Sequence, residues 1–260
     1  MKKVLVIGDG CSDIFRYGKC DRLSPEAPVP IFLPSRTTGN GGMAINVFEN
    51  LKALGVECDI ITNDIRPIKT RYVDEISNQM LLRVDEKDTI KRINIEELES
   101  IDFTKYDAVV ISDYNKGFLN EKDIEYIGGK HLQVFIDTKK NLNTWCDNIL
   151  CIKINEKEYL NNLEYFNKRK NCYVIVTKGK NGAMLSNGTN DNFEEFPIVE
   201  EHDVRDLSGA GDTFLAALVA KFLENLDIRA GISFANKCSS WVVTQKGVVV
   251  VDLNKIEIIK

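Results

Sequence analysis

The sequence predicts an α/β fold, a mostly parallel sheet with helices on both faces, and three observations carry that expectation. Short, continuously apolar runs such as Val4-Leu5-Val6-Ile7 recur along the chain, the pattern of strands buried on both faces. Segments with apolar residues on one helical face lie between them, as at Val47, Leu51 and Leu54. Polar, often glycine-containing strings follow the strand runs, where an open parallel sheet gathers its ligands. No repeat, linker or low-complexity tract divides the 260 residues, so one domain, 1–260, is expected, long enough to bury a substantial core.

In chain order, the first strand runs into Gly8-Asp9-Gly10, which places Asp9 and Asp13 at a strand end facing a ligand. An acidic residue there suits hydroxyl donors, and Asp13 reads equally as a turn-stabilising residue. Arg22 to Phe32 holds three of the chain's six prolines and cannot be a helix interior. It reads as an extended edge or lid segment. Gly39-Asn40-Gly41-Gly42 enters the helix of Val47, and its glycines permit close approach to a ligand. Strands are expected at 56–62, 106–112, 134–139, 149–154 and 172–177, and helices at 214–223 and 232–244. Glu158, in Asn155-Glu156-Lys157-Glu158, reads as a first-turn acid favoured by a helix dipole. Thr177-Lys178-Gly179-Lys180-Asn181-Gly182 reads as a hairpin string.

The most informative stretch is Asp206-Leu207-Ser208-Gly209-Ala210-Gly211-Asp212-Thr213-Phe214. Glycines that run into a helix start bring unpaired N–H groups and the positive end of a dipole against an anion. Asp212, with an ordinary pKa of about 3.9, is ionised at neutral pH and able to take a proton from an attacking alcohol. Alternatively, it caps the helix. The stretch resembles the D-x-x-G-A-G-D-x-F signature of the ribokinase-like (PfkB) sugar kinases. That resemblance implies a ribokinase-like fold with a small β-lid, ATP as phosphoryl donor, Asp212 as base, and the amides of Gly209, Ala210 and Gly211 as anion hole.

Further strings extend the resemblance over nearly the whole chain. Ser24-Pro25-Glu26-Ala27-Pro28-Val29-Pro30 and Ser112-Asp113-Tyr114-Asn115-Lys116-Gly117 are similar to the kinase domain of bacterial heptose 7-phosphate kinase/ADP-heptose synthase enzymes. They imply transfer to the anomeric hydroxyl of a heptose 7-phosphate, with lid segments at approximately 15–36 and 68–85 that a homodimer partner completes. Another sugar acceptor, or a non-catalytic sugar-phosphate or nucleotide binder, is the rival reading. The family pattern further implies sugar contacts at Asp13, Gly41, Gly42 and Asn46, and at Lys116 for a phosphate already on the sugar. It implies nucleotide contacts at Thr177, Gly179, Gly182 and Asn236, and Mg2+ positioning by Asn155 and Glu158. An α/β step present in relatives is missing near Asp64, and a fused nucleotidyltransferase domain is expected to be absent.

Composition excludes several classes. With 34 basic against 39 acidic residues the net charge is −5 and no basic stripe stands out, so no nucleic-acid partner is expected. The densest basic cluster, Lys168-Arg169-Lys170, reads as a solvated helix end. No run approaches the roughly 20 apolar residues of a membrane span, and Met1-Lys2-Lys3 leads straight into a strand, so a cytoplasmic protein with no membrane partner is expected. Seven scattered cysteines without a C-x-x-C pair read as reduced packing residues. Only His131 and His202 are available, too few for histidine-based metal or triad chemistry.

Overall fold

The computed structural model describes residues 2–167, 172–187, 193–198 and 203–256; the 168–170 cluster and His202 lie outside them. β1 (Lys3–Gly8) passes through the single residue Asp9 into β2 (Gly10–Leu23), which returns as β3 (Pro30–Met43) and enters α1 (Ala44–Ala53) directly. β4 (Glu57–Thr62), β5 (Ile68–Asp74) and β6 (Met80–Glu86) follow. After α2 (Ile95–Glu99) come β7 (Ala108–Asp113), α3 (Glu121–Lys130), β8 (Val134–Thr138), β9 (Cys151–Asn155), α4 (Glu156–Asn161) and α5 (Leu163–Phe166). β10 (Tyr173–Thr177), β11 (Ala183–Ser186), β12 (Glu194–Phe196), α6 (Ala210–Asn225), α7 (Ile228–Val242) and α8 (Leu253–Ile256) complete the described chain.

Eight strands form the main sheet in the order β12-β11-β10-β9-β8-β7-β1-β4. The six from β10 to β4 are parallel, and β11 and β12 add an antiparallel edge. Successive strands run outward in opposite directions from the β1/β7 boundary, so the crevice at their carboxyl ends is the expected ligand position of an open sheet. Alternation along β1 explains why both faces are covered. Val4 and Val6 join the core under α1, α6 and α7, whereas Leu5 and Ile7 join the core beside α2 and α3. α6 is buried without a break from Asp212 to Val219, which is why its sequence is apolar nearly all round.

The second sheet has the order β3-β2-β5-β6, two hairpins joined by a parallel β2/β5 pair. Pro30 and Pro34 sit on β3, an edge strand, where a missing N–H is tolerated. Asn63 stitches the root of this sheet to the main one, donating to the carbonyls of Gly10 and Ile65 and accepting from the Gly10 N–H. Phe15, Tyr17 and Val73 seat the sheet against Val248, and the Asn78 side chain donates to the Arg205 carbonyl. The short 63–67 connection therefore delivers β5 directly beside β2 without leaving the sheet unseated. Among the described residues, no helix is long and apolar enough to cross a membrane.

Candidate active site

α6 starts from Gly209 in a left-handed conformation, φ 80° and ψ −5°. A Cβ there would lie 2.7 Å from the Asn46 side-chain nitrogen, so both the dihedral and the close approach require glycine. Asp212 stands in the first turn, 4% exposed. Its Oδ1 accepts the Tyr114 hydroxyl at 2.7 Å and its Oδ2 the Asn46 Nδ2 at 3.1 Å. Gly209, rather than Asp212, is the N-cap, so the carboxylate is left to these side-chain donors.

The orientation of Asn46 is set from further away. The Val251 N–H, which can only donate, reaches Asn50 Oδ1 at 3.0 Å, and Thr213 donates to the same oxygen at 3.3 Å. Asn50 Nδ2 therefore points to Asn46, donating to its Oδ1 at 3.0 Å and its carbonyl at 2.8 Å. Only the amide nitrogen of Asn46 remains for Asp212. A backbone N–H on the C-terminal segment thus fixes two amides and aims a donor at the carboxylate.

Around this carboxylate lies a ring of charges. Asp137 is ion-paired with Lys153 and, at 3.3 Å, with Lys139, which also pairs with Glu158 at 2.6 Å. A Cβ on Gly211 would lie 3.0 Å from Lys153 Nζ, so this ammonium adjoins the amino end of α6. Burial raises the Asp212 carboxyl, the bonds from Tyr114 and Asn46 lower it, and it settles at about 6. Burial, with Asp212 and Asp137 nearby, holds the Tyr114 phenol well above its ordinary value. For Asp137, burial opposes the charge, but Lys153 and Lys139 outweigh it and keep the carboxyl below its usual range. A helix amino end beside a lysine, with a buried carboxylate within the same turn, is suited to hold a phosphoryl group and remove a proton next to it.

Residues 106–254 match the pfkB family of carbohydrate kinases. The chain belongs to that family. The family and the fold make it an ATP-dependent sugar kinase. It is 30% identical to the bifunctional protein HldE of Helicobacter pylori strain J99, an alignment of 311 positions that takes in all of this chain and 66% of that protein. HldE of Nitratiruptor sp. is 29% identical over 98% of this chain and 64% of its own length. The chain thus spans about two thirds of these curated relatives. It also occupies fewer positions than the alignment contains, so the matched part of HldE carries insertions that this chain lacks. In fold it is similar to ribokinase from Thermotoga maritima, with a TM-score of 0.73, 16% identity and 99% of each chain covered. Phosphofructokinase-2 from Escherichia coli gives a TM-score of 0.72 at 14% identity, covering 99% of this chain and 97% of that one.

On this pfkB scaffold the other residues singled out from the sequence fall in three places. Asp13 is 6% exposed and ion-paired with Arg71 at 2.5 Å, and a Cβ on Gly42 would lie 2.1 Å from its Oδ2. Gly41 likewise makes room for Ile45, so both glycines are required by packing around Asp13 and α1. Lys116 forms an ion pair with Asp88 at 2.5 Å. Asn155 and Glu158 form a reciprocal cap on α4, each side chain accepting the other's backbone N–H at 2.9 Å. On the far side, the Thr177 hydroxyl donates to the Ile154 carbonyl, and Gly179 begins the turn into β11. Gly182 and Asn236 meet at the Phe196 carbonyl: a Cβ on Gly182 would lie 2.1 Å from that oxygen, and Asn236 donates to it at 2.8 Å. The Ala210 N–H donates to the Leu207 carbonyl at 3.3 Å, leaving Gly209 and Gly211 as the less committed amides of the expected anion hole.

One expectation needs correction. Asp9 does not face a ligand: it is fully buried and accepts the backbone N–H groups of Tyr114, Lys116 and Phe118 at 2.7, 3.0 and 3.2 Å. It pins the loop after β7 and so places Tyr114 over Asp212. Tyr114, Asp137, Lys139, Lys153, Asn50, Lys69 and Arg71 are the site residues that sequence reasoning missed. In the sequence, the string containing Tyr114 draws attention through its lysine, and Asp137 and Lys139 fall within the expected strand 134–139.

Proposed function

We propose that the chain transfers the γ-phosphoryl group of ATP to the anomeric hydroxyl of a heptose 7-phosphate. One observation carries the reading: Asp212, buried and doubly hydrogen-bonded, lies in the first turn of α6 with Lys153 beside the same turn. In this mechanism the acceptor hydroxyl reaches the carboxylate within the crevice, attacks phosphorus in line, and passes its proton to Asp212. Gly209, Gly211 and Lys153 meet the charge on the transferred group. The heptose acceptor is supported by the Ser24–Pro30 and Ser112–Gly117 strings, and the choice of ATP by the solved ribokinase of Arabidopsis thaliana, which is complexed with ribose and ATP.

Magnesium fits the Asn155–Glu158 cap only through its water shell. One Glu158 oxygen accepts the Asn155 N–H, the other pairs with Lys139, and no cluster of three metal-ligating side chains occurs among the described residues. The ion, when bound with nucleotide, would supply charge neutralisation, while Lys139 and Lys153 supply the fixed positive charge of the chain itself. Asp13 and Arg71 would hold acceptor hydroxyls, and Thr177, Gly179, Gly182 and Asn236 would border the nucleotide. The exposed side chains of Met80, Leu82 and Val84 on the edge strand β6 support a homodimer through the four-stranded sheet. The scattered cysteines fit a cytoplasmic setting.

The test is ADP release from ATP and magnesium over heptose 7-phosphate, heptose, fructose 6-phosphate and ribose, with Asp212→Asn as control. Turnover selective for heptose 7-phosphate, lost in the variant, is the expected result. Selectivity for another acceptor would keep the mechanism and discard the substrate. ATP binding without turnover on any acceptor would support the non-catalytic reading instead.

A further inference from the structure

Of the lysines and arginines, two are buried among the described residues, Lys153 at 4% and Lys69 at 7% exposure, and they differ in kind. Lys153 has Asp137. Lys69, on β5, has no ion pair and no hydrogen bond from Nζ among the described residues; Asp85, opposite it on β6, feels its charge but is held by both hydrogen bonds from Arg83. Its ammonium lies 5.4 Å from the centre of the Tyr114 ring. Elsewhere in the crevice each cation is matched: Arg71 by Asp13, Lys139 by Asp137 and Glu158, Lys116 by Asp88, Lys140 by Asp113. Removing an ammonium from water without a counter-charge is unfavourable, and a contact with an aromatic face returns only part of that loss. A charge kept in this way is complementary to an anion that arrives from outside.

Position says which anion. Lys69 is in register with Asp13 on β2 and lies two residues before Arg71, so all three belong to the inner part of the four-stranded sheet, whereas Lys153 is on β9 of the main sheet beside the amino end of α6. Tyr114 spans the space between: Lys69 faces its ring, and its hydroxyl reaches Asp212. The Tyr114 ring thus bridges the two groups, with the ammonium 5.4 Å from its centre and the carboxylate 2.7 Å from its hydroxyl. A group bound at Lys69 is therefore at the far end of an acceptor whose reacting hydroxyl is at Asp212. Lys116, the sequence-based choice for this role, is already neutralised by Asp88.

We propose that Lys69 is the binding residue for an anionic group, a phosphate ester, at the far end of the acceptor, so that the crevice selects a sugar phosphate over the corresponding neutral sugar. The proposal rests on the kinase reading for the position of the reacting hydroxyl. Tyr114 supplies the floor on which the sugar lies, and the charge-assisted bond from Lys69 fixes the acceptor's orientation relative to the base.

The test compares the parent with Lys69→Met and Lys69→Arg, each first checked for an unaltered melting temperature. Calorimetric binding of heptose 7-phosphate, heptose and inorganic phosphate without ATP is measured beside steady-state kinetics on the first two. The parent should favour heptose 7-phosphate over heptose. Lys69→Met should weaken the phosphorylated acceptor by roughly 10- to 100-fold, the range of a hydrogen bond to a charged group, with the loss in KM, and Lys69→Arg should restore most of it. Preference for the phosphate undiminished in Lys69→Met would overturn the proposal. So would an equal loss of kcat on both acceptors, which would put Lys69 at the transferred group. Failure of the kinase reading looks different: Lys69-dependent binding of the sugar phosphate would persist while the parent turned over no acceptor.

Discussion

The Tyr114 hydroxyl donates to Asp212 at 2.7 Å, and this bond joins the loop after β7 to the first turn of α6. It lowers the Asp212 carboxyl against the upward push of burial. Tyr114→Phe is therefore expected to move the acid limb of the kcat/KM–pH profile upward from about 6, with the activity loss deepest below neutrality. An acid limb that stayed in place would show that the bond does not operate in the working enzyme.

Replacing Asp212 by Asn removes the proposed base, and turnover should fall roughly 10²–10⁴-fold. Stability should respond in the opposite sense. Asp212 is raised in the folded state to about 6. It therefore favours folding below its unfolded value, and this contribution is lost as pH rises through the folded one. The rise from an ordinary value of about 3.9 to about 6 amounts to about 3 kcal/mol, so Asp212→Asn should gain up to that amount at pH 7.5 and nothing at pH 3. Urea titrations of both proteins at the two pH values measure the difference. A gain that was the same at both would refute the linkage.

Asn50 reaches Asp212, the proposed base, through Asn46. Asn50→Asp keeps the acceptor for the Val251 N–H but removes the donor that orients Asn46. The Asn46 amide is then free to turn its oxygen toward Asp212. A rise in the kinetic acid limb and a roughly 10-fold loss of kcat/KM are expected, the order of one or two lost hydrogen bonds. Asn50→Leu, which removes both ends, should give the same kinetic shift with a lower melting temperature. A loss of stability with no movement of the pH profile would reduce Asn50 to a packing role.

Gly182 has φ +83°, and a Cβ there would lie 2.1 Å from the Phe196 carbonyl oxygen. Gly182→Ala should displace β12 from Asn236 and destabilise the fold by about 1–3 kcal/mol. ADP affinity, read by calorimetry, should fall with it. Gly179→Ala, with nothing near its Cβ but φ +55°, should show only the smaller conformational part.

Much of this was legible in the sequence. The β1 run, the proline segment on an edge strand and the helix entered at Gly209 all declare themselves through local pattern, because burial on both faces, a missing N–H and a left-handed φ act within a few residues. Asp212 was legible for the same reason. Asn46 was legible as a candidate contact, but its bond to Asp212 was not, since that depends on Asn50 and Val251, which are distant from Asp212 or from each other in sequence. Lys69 and Lys153 were missed because a lysine within a strand carries no local sign of burial. Asp9 was misplaced because a polar residue after a buried strand ordinarily ends it, whereas here the chain continues directly into the second sheet and the carboxylate is used for three amides of a neighbouring loop.

The four-stranded sheet is regular where it is rooted and irregular further out. Asp9, Asn63 and the Ser12–Pro67 backbone bond clamp its inner end to the main sheet, whereas the β2/β3 pairing slips in register at Tyr17/Gly18 and again at Lys19/Arg22. The inner half of the sheet is thus tied to the main sheet, and the irregular pairing is confined to its outer half. Asp13, Lys69 and Arg71 belong to the inner half. On the proposed reading, the charges that would orient an acceptor are therefore fixed relative to Asp212 whatever the outer half of the sheet does.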